Sequence, residues 1–221
     1  MTFVGLIPAR AGSRRLVGKN LIQLGGRPLI AYTCDAAVAS GVLAAVYVNT
    51  DSPDIARVAR EFGAECPVLR PPELAQDDTP MAESNRFLLN CLAERGEVYD
   101  AAVVLQPTSP LRTPEDIRGA VEVYETNAPC SVVSVSPVAP AGWLGYVGRG
   151  GRFERLAGEE MIYRLNGAIY VYHWADYISD RAFARTLVYP MPARRGVDID
   201  TLEDLRYAEF LLQQAAVQAC V

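Results

Sequence analysis

The amino-acid sequence predicts an α/β fold with a mostly parallel sheet, helices on both of its faces, and a small inserted antiparallel lobe. Short apolar runs of strand length alternate with segments of helical spacing along most of the 221 residues. The runs are continuously apolar, which is typical of strands that are buried on both faces of a parallel sheet. Residues 137–151 are instead rich in Pro and Gly, which indicates an inserted segment at about 137–165. We therefore expect a single domain, 1–221, with an insertion there.

The first part of the chain contains two predicted strands and two predicted helices. The strands are expected at Thr2–Ile7 and Leu43–Val48, and the helices at Pro28–Ala39 and Ser52–Phe62. Asp51 or Ser52 is a suitable N-cap for the second helix, and Pro53 fits its first turn. Alternation of this kind favours parallel pairing, because each helix returns the chain to the same end of the sheet.

The rest of the chain continues this alternation on both sides of the insertion. Strands are expected at Cys66–Leu69, Ala101–Leu105, Ser131–Val135 and Gly167–Tyr172, and helices at Met81–Glu94, Glu115–Tyr124 and Thr201 to about Ala216. Within the insertion, Trp143 and Tyr146 precede Gly148–Gly151, a sequence typical of a hairpin tip. We expect this lobe to provide the contacts of a homodimer.

Charge and composition exclude several classes of protein. The formal net charge is −5, whereas a nucleic-acid surface needs clustered excess positive charge. No apolar run approaches the roughly 20 residues that cross a bilayer, and the first residues lack the basic region of a signal peptide. We therefore expect a cytoplasmic protein that binds neither nucleic acid nor membrane, with its five scattered cysteines reduced. His173 is the only histidine, which argues against a zinc site.

The segment that follows the first strand, residues 9–20, is predicted to bind phosphate. Its basic residues are Arg10, Arg14, Arg15 and Lys19, and they are interleaved with Gly12, Ser13 and Gly18. Glycines let the backbone approach an anion, free amides donate to phosphate oxygens, and cations neutralise them. Lys19 is the only lysine among 21 basic residues. Five residues separate Gly12 from Gly18 where a P-loop has four, and the glycine pattern of a dinucleotide site is absent as well.

A pair of carboxylates near the end of the chain is predicted to bind a metal ion. Residues two apart in an extended segment point to the same face, so Asp198 and Asp200 aim at one point. Hard oxygen ligands at this spacing suit Mg²⁺. The alternative is that Asp200 caps the closing helix with the help of Thr201 and Glu203.

Two further segments carry polar groups next to predicted strands. Gln106–Arg112 follows the most apolar strand and is expected at the same edge of the sheet as the phosphate-binding segment. In Tyr163–Tyr170, Arg164 is suited to pair with a carboxylate through two hydrogen bonds. The neighbouring Asn166 and Gly167 are open to a simpler interpretation as a turn.

Six segments together resemble the acylneuraminate cytidylyltransferase family, which includes the CMP-sialic acid synthetases. They are Ile7–Arg10 with Gly12-Ser13 and Lys19-Asn20, then Asn49–Ser52, Arg70–Leu74, Gln106–Arg112, Asn166–Tyr170 and Asp198–Thr201. The resemblance is colinear from residue 6 to about 210. It implies a Rossmann-like nucleotidyltransferase fold and transfer of CMP from CTP to a nine-carbon 2-keto sugar acid. It also implies a need for Mg²⁺, with Mn²⁺ as a substitute, and a homodimer.

The resemblance also implies a role for individual residues. The contacts to CTP are expected from Ala9, Arg10, Gly12, Ser13, Arg14, Lys19, Asn20 and Arg70, those to the sugar acid from Gln106, Arg164 and Asn166, and those to the metal from Asp198 and Asp200. Of these, Arg10, Lys19, Asp198 and Asp200 are the expected catalytic residues. Position 14 is Arg where the family usually has Lys. A further arginine that some relatives direct at the sugar has no match in register, although Arg155 lies nearby.

Several related activities stay open at this point. The related Kdo cytidylyltransferases have an additional metal-binding Asp where this chain has Thr108, and pseudaminic acid synthetases lack the run Asn166–Tyr170. Both differences favour an acid of the N-acylneuraminic or legionaminic type, between which the sequence does not choose. A binding or structural protein that kept the fold without catalysis is expected to have lost Arg10, Lys19, Gln106 or the two aspartates, and all of them are present.

Overall fold

A computed structural model describes residues 1–147, 152–179, 181 and 185–219. The predicted hairpin tip, Gly148–Gly151, lies outside the described residues. The strands are β1 (Phe3–Pro8), β2 (Gln23–Leu24), β3 (Arg27–Pro28), β4 (Ala45–Asn49), β5 (Ala101–Val104), β6 (Ser131–Pro140), β7 (Gly145–Val147), β8 (Phe153–Arg155), β9 (Met161–His173) and β10 (Thr186–Pro190). The helices are α1 (Leu29–Ser40), α2 (Pro53–Glu61), α3 (Met81–Glu94), α4 (Pro114–Asn127), α5 (Trp174–Ile178) and α6 (Leu202–Ala219).

Six strands form the central sheet in the order β10-β6-β9-β5-β1-β4. The pairs β1–β4, β1–β5 and β6–β10 are parallel, whereas β9 is antiparallel to both β5 and β6. The predicted mostly parallel sheet is therefore confirmed, with β9 as the one reversed strand among the six.

Helices cover both faces of the sheet, as the apolar runs predict. Along β1, Phe3 and Ile7 enter a core with α1, α2 and α4, whereas Val4 and Leu6 enter a second core with α3 and α5. Because both sets of β1 side chains are buried, the strand has a continuous apolar sequence. A third cluster packs α6 against the β2–β3 hairpin through Leu24, Leu29, Ile199 and Leu205.

Two strand predictions differ from the structure. Cys66–Leu69 is not a strand: Glu65 makes an isolated parallel bridge to Tyr47, and the chain then bends beside Pro67. The edge strand β10 is absent from the sequence prediction, although it pairs with β6 from Thr186 to Pro190. Proline is tolerated at the end of an edge strand, where its missing N–H is not needed.

The region between β6 and β9 contains the antiparallel strands that the sequence predicts. The second half of β6 pairs with the first half of β9, from Val135–Leu165 to Pro140–Met161. The short strands β7 and β8 form a separate antiparallel pair. The side chains of Trp143, Val147 and Phe153 are exposed on this lobe.

Among the described residues, no helix is both long enough and apolar enough to span a bilayer. Cys34, Cys66, Cys91 and Cys130, which belong to this part of the chain, form no disulfide.

Candidate active site

One edge of the sheet brings most of the predicted site segments together. The strands β1, β4 and β5 end at this edge and lead into residues 9–20, 49–52 and 106–112. Because β9 runs in the opposite direction to β5, Asn166 and Gly167 precede the part of β9 that pairs with β5 and lie at the same edge. After β10, residues 191–200 return there, and the Ile199 N–H donates to the Thr108 carbonyl over 2.7 Å. A site outside the carboxyl ends of parallel strands is the usual arrangement in such sheets.

A cavity of about 480 Å³ opens at this edge, a size typical of small-molecule sites. Its lining includes eight of the predicted site residues, namely Arg10, Ser13, Arg14, Lys19, Asn20, Arg70, Gln106 and Asp200. Arg15, Asp77, Thr79 and Thr108 also line it. Five predicted site residues do not line the cavity, namely Ala9, Gly12, Arg164, Asn166 and Asp198.

Two carboxylates hold the four basic side chains of the phosphate-binding segment. Asp77 pairs with Arg10 at 2.7 Å through Oδ1 and with Arg14 through Oδ2. Asp200 pairs with Lys19 at 2.8 Å through Oδ1 and with Arg15 through Oδ2. The Lys19 ammonium also donates to the Ile199 carbonyl over 3.0 Å. Four cations thus converge on one cavity, with two acidic side chains between them.

The path of this segment is fixed by polar contacts to its own residues and to the end of β4. The Ala9 and Ala11 N–H groups donate to the Asn49 carbonyl and to Asp51 Oδ1 over 2.9 and 2.8 Å. The Asn20 amide donates to the Arg10 carbonyl over 2.9 Å. Gly18 has a φ of 66°, a left-handed conformation that glycine adopts without strain. Asn20 therefore shapes the segment as well as lining the cavity.

Arg70 is a buried cation whose orientation is set by Asn49. Its Nε and Nη2 donate to the side-chain and main-chain oxygens of Asn49 over 3.1 and 2.7 Å. The Asn49 amide in turn donates to the Ser84 carbonyl and to Asn85 Oδ1. Burial lowers the pKa of Arg70 from its usual value. A guanidinium held in this way presents its remaining N–H groups to the cavity without reorganisation.

The two predicted metal ligands have different surroundings. The helix α6 is capped by Thr201, whose hydroxyl accepts from the Asp204 N–H, while Asp204 Oδ2 accepts from the N–H groups of Asp200 and Thr201. This reciprocal cap satisfies N–H groups at the N-terminus of α6. The alternative that Asp200 is the N-cap is therefore wrong. The supporting role that was expected of Glu203 belongs to Asp204. Burial raises the pKa of Asp198, and the neighbouring Asp200 carboxylate adds to the rise.

Asp198 and Asp200 are suited to bind a divalent cation. Asp198 Oδ1 is buried and, within the described residues, has no hydrogen-bond partner. Such an atom is costly unless something binds it. Within that same part of the chain, no group of three or more His, Cys, Asp and Glu side chains is placed to hold a metal. Mg²⁺ is commonly bound by one or two carboxylates of the protein, and phosphate oxygens of the substrate complete its coordination shell.

Asn166 is engaged within the protein. Its amide donates to Ser136 Oγ over 2.9 Å, and its Oδ1 accepts from Ser134 Oγ over 2.5 Å and from the Ala168 N–H over 3.1 Å. A Cβ on Gly196 would overlap Ser136 Oγ and lie 2.8 Å from the Asn166 amide nitrogen. These contacts join β6, β9 and the segment that leads to Asp198. Asn166 therefore supports the edge of the site from beneath.

The predicted residues Gln106, Arg112 and Arg164 have three different positions. Gln106 lines the cavity, and its amide lies 3.5 Å from Met81 Sδ. Arg112 is buried, and it donates to the carbonyls of Gln106 and Ala168 and to Thr33 Oγ1. Arg112 is therefore a structural clamp between the ends of β5 and β9. Arg164 is exposed at the edge, where its Nη2 donates to the Gly196 carbonyl over 3.2 Å.

Asp77 and Asp204 also belong to this region, although neither was predicted from the sequence. Asp77 belongs to the run Gln76-Asp77-Asp78-Thr79, which precedes α3 and reads as an ordinary turn. Asp204 follows Thr201 at the spacing of a capping box, a signal that could have identified it. For Asp77, the one sequence feature that pointed to the site was its closeness in sequence to Arg70, which was predicted to bind the nucleotide.

Comparisons with known proteins assign this arrangement to a family. A sequence profile described as cytidylyltransferase matches residues 4–143. The CMP-N,N'-diacetyllegionaminic acid synthase of Legionella pneumophila is 37% identical over 96% of this chain and 97% of that protein. The N-acylneuraminate cytidylyltransferase of Streptococcus agalactiae serotype III is 32% identical over 90% of this chain, which spans half the length of that relative.

A comparison with solved structures identifies the fold. A solved structure of CMP:2-keto-3-deoxy-manno-octonic acid synthetase complexed with CTP superimposes with a TM-score of 0.74 at 20% identity, covering 97% of this chain and 100% of the other. The fold is therefore that of the nucleotidyltransferases. Because the family profile covers more than half of its length and a relative matches it nearly from end to end, the chain belongs to the cytidylyltransferase family.

Proposed function

We propose that this protein transfers CMP from CTP to the anomeric 2-hydroxyl of a nine-carbon 2-keto sugar acid of the N-acylneuraminic or legionaminic type, with release of pyrophosphate. The observation that carries the proposal is the convergence of Arg10, Arg14, Arg15 and Lys19 on a cavity that Gln106 and Arg70 also line. Dense positive charge in a protein of net charge −5 suits a triphosphate. The choice of acid is supported by the similarity to the CMP-N,N'-diacetyllegionaminic acid synthase and to the N-acylneuraminate cytidylyltransferase.

The reaction needs positioning and charge stabilisation more than covalent chemistry by the protein. The oxygen of the 2-hydroxyl forms a bond to the α-phosphorus of CTP, and the bond from that phosphorus to the oxygen bridging the β-phosphorus breaks. The proton of the hydroxyl passes to a carboxylate oxygen of Asp198 or Asp200. Arg10, Arg14 and Lys19 hold the pyrophosphate as its negative charge develops.

Asp198 and Asp200 are the residues that would hold Mg²⁺. The ion would offset negative charge on the phosphate oxygens. Lys19 and Arg15 pair with Asp200 at the cavity, so both cations lie where phosphate oxygens of the nucleotide would be bound.

At the acceptor end of the cavity, Gln106 is the side chain best placed to orient the sugar acid. Arg164 is exposed at the same edge and is our candidate for its carboxylate, because a guanidinium binds a carboxylate through two parallel hydrogen bonds. Asn166 accepts from the Ala168 N–H at this edge, and its contact to the acid stays a prediction.

The test is pyrophosphate release from CTP and Mg²⁺ with N-acetylneuraminic, legionaminic, pseudaminic and Kdo acids in separate reactions. We expect release with CTP and with one of the first two acids, and none when ATP, GTP or UTP replaces CTP. Stabilisation of the fold by CTP without release with any of the four acids would contradict the acceptor assignment alone. No stabilisation by CTP and no release would contradict the whole proposal.

Asp198→Asn tests the metal assignment. The change keeps the shape of the side chain and removes its charge, so we expect kcat to fall on the order of 100-fold and Mn²⁺ binding, followed by electron paramagnetic resonance, to weaken. The matched control is Asp78→Asn at an exposed acid outside the cavity lining, which should leave both unchanged. Full turnover and unchanged Mn²⁺ binding by Asp198→Asn would rule out this metal site.

We also propose that the chain forms a homodimer through its inserted lobe. Besides Trp143, Val147 and Phe153, the exposed apolar side chains among the described residues there are Val138, Tyr146, Leu156, Met161, Tyr163 and Leu165. Contiguous apolar side chains of this kind mark an interaction surface when they lie on one face. A second copy of the chain is the proposed occupant. The location in the cytoplasm stays a prediction.

A further inference from the structure

Asp77 holds two of the four cations in the cavity and is the acidic residue for which the proposed reaction has no use. Each of its carboxylate oxygens pairs with a different arginine, Oδ1 with Arg10 and Oδ2 with Arg14. Two guanidinium groups on one carboxylate resemble the way in which such groups bind a phosphate. The carboxylate thus occupies donors that the proposed function assigns to the triphosphate.

The position of Asp77 differs from that of a residue that supports an arginine from behind. Asp116, which pairs with Arg195 at 2.9 Å, is fully buried and also caps α4. Asp77 instead lines the cavity itself, and its side chain is 33% exposed. It lies on a turn closed by a hydrogen bond from the Thr79 N–H to the Gln76 carbonyl. Its carboxylate is therefore on the ligand side of Arg10 and Arg14.

We propose that Asp77 is a built-in competitor for the polyphosphate: it pairs with Arg10 and Arg14 and gives them up when a triphosphate or pyrophosphate binds. The inference rests on the proposed nucleotide site and adds a positioning residue to it. A polyphosphate carries more negative charge than one carboxylate, so the exchange favours the ligand at sufficient concentration. The pairs keep both arginines facing the cavity before the ligand arrives.

The competitor has a consequence for the reaction. It weakens the binding of every polyphosphate by a similar factor, because each must displace the same carboxylate. Substrate CTP then binds less tightly, and the pyrophosphate product is released more readily. Interactions that weaken the ground state and the transition state equally change KM and leave kcat nearly unchanged.

The experiment compares Asp77→Asn with Asp78→Asn, which makes the same change in net charge at the adjacent exposed residue. Calorimetric titration with inorganic pyrophosphate measures the competition directly, and cytidine is the ligand without phosphate. We expect Asp77→Asn to bind pyrophosphate about three- to tenfold more tightly than the wild type, the range for two partly exposed ion pairs. We also expect the KM for CTP to fall while kcat and cytidine affinity stay the same.

The possible outcomes separate this inference from the proposed function. Weaker pyrophosphate binding by Asp77→Asn would make Asp77 a support for the arginines, and equal effects of the two variants would show a general effect of charge; either overturns the inference. Both variants should unfold at the wild-type temperature, and Asp77→Glu, which keeps the competing charge, should bind pyrophosphate like the wild type. If the wild type binds neither CTP nor pyrophosphate, the proposed function fails and the inference fails with it.

Discussion

Gly196 illustrates how a single residue without a side chain determines the position of a charged one. It lies against Ser136 and Asn166, two residues before Asp198, and its carbonyl accepts from Arg164. Any larger residue has to push apart the hydrogen-bonded side chains that join β6 to β9. The geometry of the Asp198 carboxylate therefore depends on the absence of a methyl group at position 196.

We expect Gly196→Ala to destabilise the protein by about 1–3 kcal/mol, the usual cost of inserting a methyl group into a packed region. Turnover should fall as well, because the segment that carries Asp198 has to shift. The control is Gly12→Ala, where a Cβ has no atom within 4 Å, and its free energy of unfolding should equal that of the wild type. Denaturant titration of both variants makes the comparison, and equal stability of Gly196→Ala and wild type would contradict the packing argument.

Residue types that suggest ligand binding were only partly reliable as a guide to the site. Arg112 and Asn166 belong to segments that were expected to reach the ligand, and their side chains donate to the buried hydroxyl groups of Thr33 and Ser136. A polar residue at the end of a strand can serve either purpose, because the backbone needs partners there too. Arg10 and Lys19 could be placed more securely, since glycines and cations at a strand end have few structural uses.

At the scale of elements, the N-terminus of α6 is directly connected to the site. Asp204 accepts from the N–H groups of both Asp200 and Thr201. The cap thus orients the backbone from which the Asp200 carboxylate projects toward Lys19. The peptide group between Ile199 and Asp200 serves both functions, because its carbonyl accepts from Lys19 and its N–H donates to Asp204.

Thr201→Ala should therefore affect both stability and activity. Losing the cap costs about 1 kcal/mol, or about 2–4 °C in Tm for a chain of this size, and kcat should fall as Asp200 loses its orientation. Thr113→Ala removes the equivalent hydroxyl from the capping box of α4, away from the cavity, and should cost similar stability with little loss of kcat. Calorimetry and steady-state kinetics on the two variants test this. The same kcat in both would show that the cap of α6 does not affect catalysis.

The order of elements was more predictable than their direction. Apolar runs and helical spacing located β1, α3 and β5 to within a residue or so, because buried strands and amphipathic helices constrain sequence directly. The reversal of β9 depends on which strands it pairs with, which periodicity does not encode. The edge strand β10 has a half-exposed sequence and gives a weak signal for the same reason.

At the scale of the whole molecule, the inserted lobe carries a group of exposed apolar side chains that are close in sequence. Val147 is 72% exposed and Trp143 is 80% exposed. Exposed apolar side chains also occur elsewhere in the described residues, for example Val17 and Val98. A stable interface buries on the order of 800 Å² on each partner, which needs a group of exposed side chains rather than a single one.

We expect the protein to have twice the 24.1 kDa mass of one chain in light scattering coupled to size exclusion. Val147→Glu places a charge in the lobe and should shift the mass to that of a monomer, whereas Val98→Glu, at a valine that is 61% exposed elsewhere, should not. A wild-type protein that is monomeric at tens of micromolar would contradict the dimer. A dimer that persists in Val147→Glu would show that the interface lies on another surface of the protein.

The pairing of Lys19 with Asp200 joins residues that are 181 positions apart. During synthesis, a chain that has just emerged up to α5 has all four cations but not the carboxylate that holds two of them, nor the helix that orients it. Domains fold as units once their sequence is available, so the arrangement of charges in the cavity should form only after the segment that contains Asp200 has been synthesised.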